Sequence, residues 1–133
     1  MTTETNKAIV RRLLEEVFPA ADLGALDEIV APDLVDHSPV PGQPAGVEGV
    51  RHVLRGLHAG YADLQITVDY LFGEGDRVVA RWTLRGRHTG SIFGEAPTGG
   101  AVETGILVVF RLANGKITER WAAHLGGAPP ARP

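Results

Sequence analysis

At Tyr61 the hydrophobic period of this chain changes from 3.6 residues to 2, and it does not change back. A sequence with all its helical patterning first and all its strand patterning second cannot wind as alternating βαβ units. It has to lay helices against a sheet of hairpin-linked strands, an α+β arrangement. From Thr3 to Phe18 the apolar residues come in pairs, Ile9/Val10, Leu13/Leu14 and Val17/Phe18, with Lys7, Arg11, Arg12, Glu15 and Glu16 on the opposite arc. Thr3 is the expected cap of this helix and Pro19 its stop. Asp22 caps a shorter helix with the stripe Leu23, Leu26 and Ile29/Val30, closed by the bias that Pro32 places on Ala31. A short extended segment over 34–39 and a Pro/Gly loop over 39–46 lead to a third helix over 47–59, ended by Gly60.

Strand patterning covers 64–72, 77–88, 102–112 and 117–124, with tight turns at Gly73-Glu74-Gly75-Asp76 and Ala113-Asn114-Gly115 and a longer glycine-rich loop over 89–100. Residues 1–125 are expected to form a single domain and 126–133 a flexible tail. With 133 residues, 44% of them apolar, one hydrophobic core is affordable without staples, and the absence of cysteine removes disulfides, iron–sulfur clusters and thiol catalysis. A net charge of −3 argues against a phosphate-neutralising surface, so nucleic acid is not an expected partner. No apolar run approaches the ~18 residues of a membrane span, and the polar N-terminus leads us to expect a cytoplasmic protein with no membrane partner. Five histidines, at 37, 52, 58, 88 and 124, show no ligand spacing, and no phosphate- or dinucleotide-binding glycine pattern occurs; neither a metal nor a cofactor is expected.

Alternation sorts the strand residues between two faces. The more apolar set, expected to meet the helices, contains Ile66, Val68, Tyr70 and Phe72, then Val78, Ala80, Trp82 and Leu84, then Val102, Thr104, Ile106, Val108 and Phe110, and finally Ile117, Glu119 and Trp121. The other face keeps Leu71, Val79, Leu107 and Val109 among its charges, and a half-apolar outer face predicts a homodimer packed sheet to sheet.

A ligand cavity between sheet and helices would be lined by Phe18, Tyr61, Tyr70, Trp82, Thr104 and Trp121, for which aromatic stacking and hydrogen bonding to a carbonyl are the expected roles. Acid–base candidates are His37 beside the mouth, His88 on the inward parity of its strand, and Glu119, the one carboxylate that alternation places inside. His124 falls on the outward parity and needs a β-bulge to reach the cavity. His52 is expected in solvent and His58 at the edge of the third helix's stripe. Asp69, Arg81 and Glu103 have the chemistry of an epoxide hydrolase, but alternation puts all three outside, where an ion-pair network is the simpler account.

Several strings in order, Val35-Asp36-His37-Ser38-Pro39, Gly75-Asp76-Arg77-Val78-Val79-Ala80-Arg81-Trp82, Gly86-Arg87-His88-Thr89-Gly90, Pro97-Thr98-Gly99 and Asn114-Gly115-Lys116-Ile117-Thr118-Glu119-Arg120-Trp121, make the chain resemble the SnoaL-like polyketide cyclases of the NTF2-like superfamily. The resemblance implies a cone-shaped roll, three N-terminal helices on a curved antiparallel sheet. It also implies a cofactor-independent enzyme of cyclase, isomerase or dehydratase type, acting by acid–base chemistry on a hydrophobic, carbonyl-bearing small molecule. The superfamily also includes epoxide hydrolases and proteins that only bind small molecules. In the cyclases a catalytic aspartate follows the tryptophan of the last strand, whereas Ala122-Ala123-His124-Leu125-Gly126 contains no acid. The expectation is then that another group such as His124 takes the base role, or that the cavity binds without chemistry.

Overall fold

The paired apolar residues near the N-terminus wind into helix α1 (Thr3–Arg12), and the helix does not stop at Pro19. Its cap is Thr2, one residue earlier than expected, whose hydroxyl accepts from the Thr5 amide at 3.1 Å. The helix runs on through a wide π turn (Leu13–Val17) and a last turn, α2 (Phe18–Ala20), and ends at Ala21 in the left-handed region. Proline has no N–H for the carbonyl four residues back. The π turn, in which the Phe18 amide donates to the Leu13 carbonyl, changes the bonding pattern just before Pro19 and lets the ring stay in the helix. Asp22 caps the next turns as expected, accepting from the Ala25 amide at 3.2 Å, but α3 (Leu26–Ile29) is short.

Val30 already has extended backbone and opens strand β1 (Val30–Asp36), four residues earlier than the expected extended segment. Pro32 is tolerated because β1 is an edge strand. Helix α4 (Val47–Gly60) follows, then β2 (Tyr61–Glu74), β3 (Arg77–His88), β4 (Ala101–Ala113) and β5 (Lys116–Leu125). The five strands form one curved, unclosed sheet in the order β1-β5-β4-β3-β2. Only β2 to β5 are antiparallel. β1 runs parallel to β5, because the chain enters it from the helical cover and leaves it toward α4, with no hairpin to impose the opposite direction. Asn114 and Gly115 both take positive φ, 52° and 78°, in the β4–β5 turn, which is why that dipeptide sits there.

This computed structural model describes residues 2–125, so the tail expected over 126–133 lies outside the described residues. Val10, Leu14, Leu26, Leu54, Val78, Val108 and Ile117 are sealed between the helices and the concave face of the sheet. Each contributes roughly 1.5–3 kcal/mol of burial. Among the described residues no helix is long and apolar enough to cross a membrane.

The two central strands keep the expected alternation. β3 and β4 pair without a slip from Arg77/Arg111 to Arg87/Ala101, so Val78, Ala80, Trp82 and Leu84 face the helices together with Ile106, Val108 and Phe110. The flanking strands do not keep it. On β2 the pairs Val68/Trp82 and Tyr70/Arg81 leave Asp69 as an extra residue, and beyond this bulge Leu71 faces inward while Tyr70 and Phe72 face outward. On β5 the pairs Ile117/Leu112 and Glu119/Arg111 leave Thr118 extra, its hydroxyl donating to the Arg111 carbonyl at 3.1 Å. From there Glu119 and Trp121 point outward, and Arg120, Ala122 and His124 point inward. The assignment by alternation is thus reversed for Tyr70, Phe72, Glu119 and Trp121.

Candidate functional site

The curved sheet and its helical cover enclose a cavity of about 410 Å³, within the range of small-molecule sites. Its wall is mostly apolar, from Leu13, Leu14, Phe18, Leu34, Val50, Val53, Leu57, Leu84, Ile106, Phe110 and Ile117. Of the residues chosen from sequence, Phe18, Tyr61, Trp82, Thr104 and His124 line it. Tyr61 arrives there through a second irregularity in β2, between Ala62 and Gln65, which sets it opposite His88 on the inner face. Burial, and behind it the charge of Glu95, pushes the Tyr61 phenol up, so it remains a hydrogen-bond donor through neutral pH. His124 reaches the wall because of the Thr118 bulge, which sets it opposite Ile106.

His37, His88, Glu119, Tyr70 and Trp121 do not line the cavity. His37 and Glu119 meet on the outer face, where His37 Nε2 lies 2.9 Å from Glu119 Oε2 and the imidazole stacks on Trp121 with ring centroids 4.6 Å apart. The His37 hydrogen bond, and after it one from Arg111 at 2.9 Å, pulls the Glu119 carboxyl below the usual range; this is the opposite of the rise that a buried carboxyl would show. His88 is only 5% exposed and on the inner parity, but it packs against Tyr61 at the strand end, with Nε2 sealed and unpartnered. His58 Nε2 donates to the Phe18 carbonyl at 2.6 Å, and His52 is half buried beside Phe93 rather than in solvent.

Asp69, Arg81 and Glu103 also stay off the cavity wall. Arg81 is buried on the outer face, its Nη1 donating to Asp69 at 2.8 Å and to the Thr83 hydroxyl at 2.8 Å, and a side chain at Gly105 would collide with the guanidinium. Glu103 pairs with Arg85. Among the described residues no three His, Asp or Glu side chains converge as metal ligands would.

The polar residues that sequence reasoning missed are Asp36, Ser38 and Arg120, all on the cavity wall. Asp36 and Ser38 flank His37, so the tripeptide carries its inward chemistry on either side of the histidine. Asp36 sits opposite Arg120 in the parallel β1/β5 pair, the His37 amide donates to the Arg120 carbonyl, and the Ser38 hydroxyl accepts from the Ala122 amide at 3.0 Å.

This architecture has known relatives. Residues 8–124 match the SnoaL-like polyketide cyclase family, nearly the whole of the described chain. The chain belongs to that family. Among solved structures it is similar to TsrD from Streptomyces laurentii, at 27% identity and a TM-score of 0.84 over 93% of this chain and 90% of that one. It is also similar to IdmH, a candidate polyketide cyclase from Streptomyces antibioticus, at 32% identity and a TM-score of 0.76 over 90% and 91%. A SnoaL-like polyketide cyclase candidate from Jannaschia sp. CCS1 matches at 26% identity and a TM-score of 0.81 over 92% and 86%. No curated protein sequence matches this one. For a SnoaL-like chain, the residue that stands inward on the last strand beyond the tryptophan is here an imidazole, His124, in place of a carboxylate.

Proposed function

We propose that this SnoaL-like protein is a cofactor-independent enzyme acting by proton transfer on a hydrophobic, carbonyl-bearing small molecule, with His124 as the base and Tyr61 as a hydrogen-bond donor to the oxygen on which charge develops. The observation that carries the reading is the bulge at Thr118, which turns His124 toward an otherwise apolar cavity. An imidazole titrates near neutrality and can take a proton from carbon beside a carbonyl. A phenol kept protonated is suited to the enolate oxygen, and apolar walls strengthen that hydrogen bond. Ring closure, isomerisation or elimination would each follow from the same enolate.

The reading predicts that the protein accelerates deuterium exchange at the carbons flanking the carbonyl of 2-tetralone in D2O, followed by proton NMR. His124→Ala is expected to lower that acceleration by about 10²–10⁴-fold, the usual contribution of a positioned base. Alanine at His37, outside the cavity, is expected to leave it unchanged. Equal exchange in His124→Ala and the parent would remove the enzymatic reading. The alternative, a cavity that binds without chemistry, draws support from Asp36, the carboxylate on the wall beside Arg120, whose two oxygens are both taken up by hydrogen bonds within the protein.

We further infer that two copies pair through the outer face of the sheet. Phe72, Val35 and Leu107 are 59%, 50% and 40% exposed there, and the bulges add Tyr70 and Trp121 to the apolar surface that alternation had already placed on it. A monomeric mass by light scattering at micromolar concentration would overturn this.

A further inference from the structure

We infer that the cavity selects a ligand carrying a carboxylate, which it holds on the free edge of the Arg120 guanidinium and the hydroxyl of Ser38. This rests on the reading above that the cavity is the ligand site, and it adds a chemical class for the occupant.

Arg120 lines the cavity but uses only one of its three nitrogens on the protein. Nη1 donates to both oxygens of Asp36, at 3.1 Å each. Among the described residues nothing accepts from Nε or Nη2, and neither nitrogen is sealed away from the cavity. Those two nitrogens form the side edge of the fork, whose parallel N–H groups match the spacing of two carboxylate oxygens. A lysine could not present that edge.

Asp36 fixes the guanidinium and does not compete with a ligand for the free edge. Its Oδ1 accepts from the Ser38 amide at 2.9 Å and its Oδ2 from the Gln43 side chain at 2.9 Å, in addition to Arg120. With each oxygen already accepting two bonds, the carboxylate has no lone pair left for a substrate and serves to hold the arginine plane. Ser38 is tied in the complementary sense. Its oxygen accepts from the Ala122 amide, so its own proton remains to be donated, and it too lines the cavity. Ala122, between Arg120 and His124 on the same face of β5, has only a methyl group and keeps the floor between them open.

Because Asp36 offsets the charge of Arg120, affinity for an anion here comes from directed hydrogen bonds against an apolar wall, not from a net positive field. The preference for an acid should therefore depend only weakly on salt. The one other acid on the wall, Glu95, stands beside Tyr61, whose phenol feels its charge.

The test uses the full chain and two probes of nearly equal shape, anthracene-2-carboxylic acid and its methyl ester, with binding followed by the polarisation of their own fluorescence. The expected result is that the acid binds about tenfold more tightly than the ester, the size of a hydrogen bond to a charged group. Arg120→Gln should bring the two within about twofold by weakening the acid alone, and Ser38→Ala should reduce the preference about threefold. Should Arg120→Gln not fold with Asp36 left unpaired, the parent's preference and Ser38→Ala decide the matter. Equal affinity for acid and ester in the parent, no binding of either, or a preference unchanged in both variants would overturn the proposal. His124→Ala is expected to keep the acid preference. Loss of the acid preference with exchange intact therefore counts against the anion site, and loss of the His124 effect with the preference intact counts against the enzymatic reading.

Discussion

The central strands β3 and β4 and the flanking strands β2 and β5 share one sheet and one kind of sequence, yet they obey alternation differently. Between β3 and β4 eleven consecutive pairs run without a slip, and every side chain faces as its parity says. In β2 and β5 one extra residue, Asp69 or Thr118, reverses the facing of all that follows. A central strand is paired on both sides, so an insertion there must disturb two ladders at once. A flanking strand can absorb one more easily, and it is the reversed stretch of β5 that brings Arg120 and His124 to the cavity.

Three single-residue deletions turn this contrast into a measurement, with stability read by denaturant unfolding. Deleting Val109 from β4 shifts part of that strand against β3 and β5 together and exchanges its buried and exposed sets. The expected result is loss of cooperative unfolding, the outcome of a change well beyond about 4–5 kcal/mol. Deleting Asp69 preserves facing on β2, since Val68 and Tyr70 become successive residues. It also removes the partner of Arg81, and a buried guanidinium left unpaired costs about 3–5 kcal/mol. Deleting Thr118 likewise preserves facing, with Ile117 inward and Glu119 outward as before, and forfeits one side-chain hydrogen bond worth about 1 kcal/mol. If removal of Thr118 proves as destructive as removal of Val109, the extra-residue description of β5 is wrong.

The same contrast explains what could be read from sequence. The period change at Tyr61, the helical stripes, the Asn114-Gly115 turn and the faces of Trp82, Thr104 and Phe110 are local signals, and each is visible in a window of a few residues. A bulge is set by the register of a partner strand, which the window does not contain. There was nonetheless a trace: unbroken alternation puts the charge of Glu119 into the core while leaving Leu71 outside, and such a clash between local pattern and burial is how a bulge announces itself. Asp36, Ser38 and Arg120 escaped for a related reason. Histidine attracts attention near neutral pH, but in an extended segment its neighbours face the other way. The parallel pairing that sets Asp36 against Arg120 joins residues far apart in the chain.

The smallest effect discriminates most sharply, because its sign depends on the face Glu119 occupies. On the outer face, with His37 and Arg111 as partners, its carboxyl is held below the ordinary value of about 4.3. A carboxyl depressed on folding contributes stability that is fully present above the unfolded value and disappears as pH falls through the folded one. The parent should thus unfold at a higher temperature than Glu119→Gln at pH 7, and the gap should close as pH drops below about 4.3. Had alternation continued unbroken, the carboxyl would be buried among apolar groups and raised, with stability lost as pH rises through the folded value. Glu119→Gln would then be the more stable protein at pH 7, and its advantage would vanish in acid. Melting temperatures of the two proteins from pH 3 to pH 7 decide between the faces, and an advantage for glutamine at neutral pH would return Glu119 to the cavity wall.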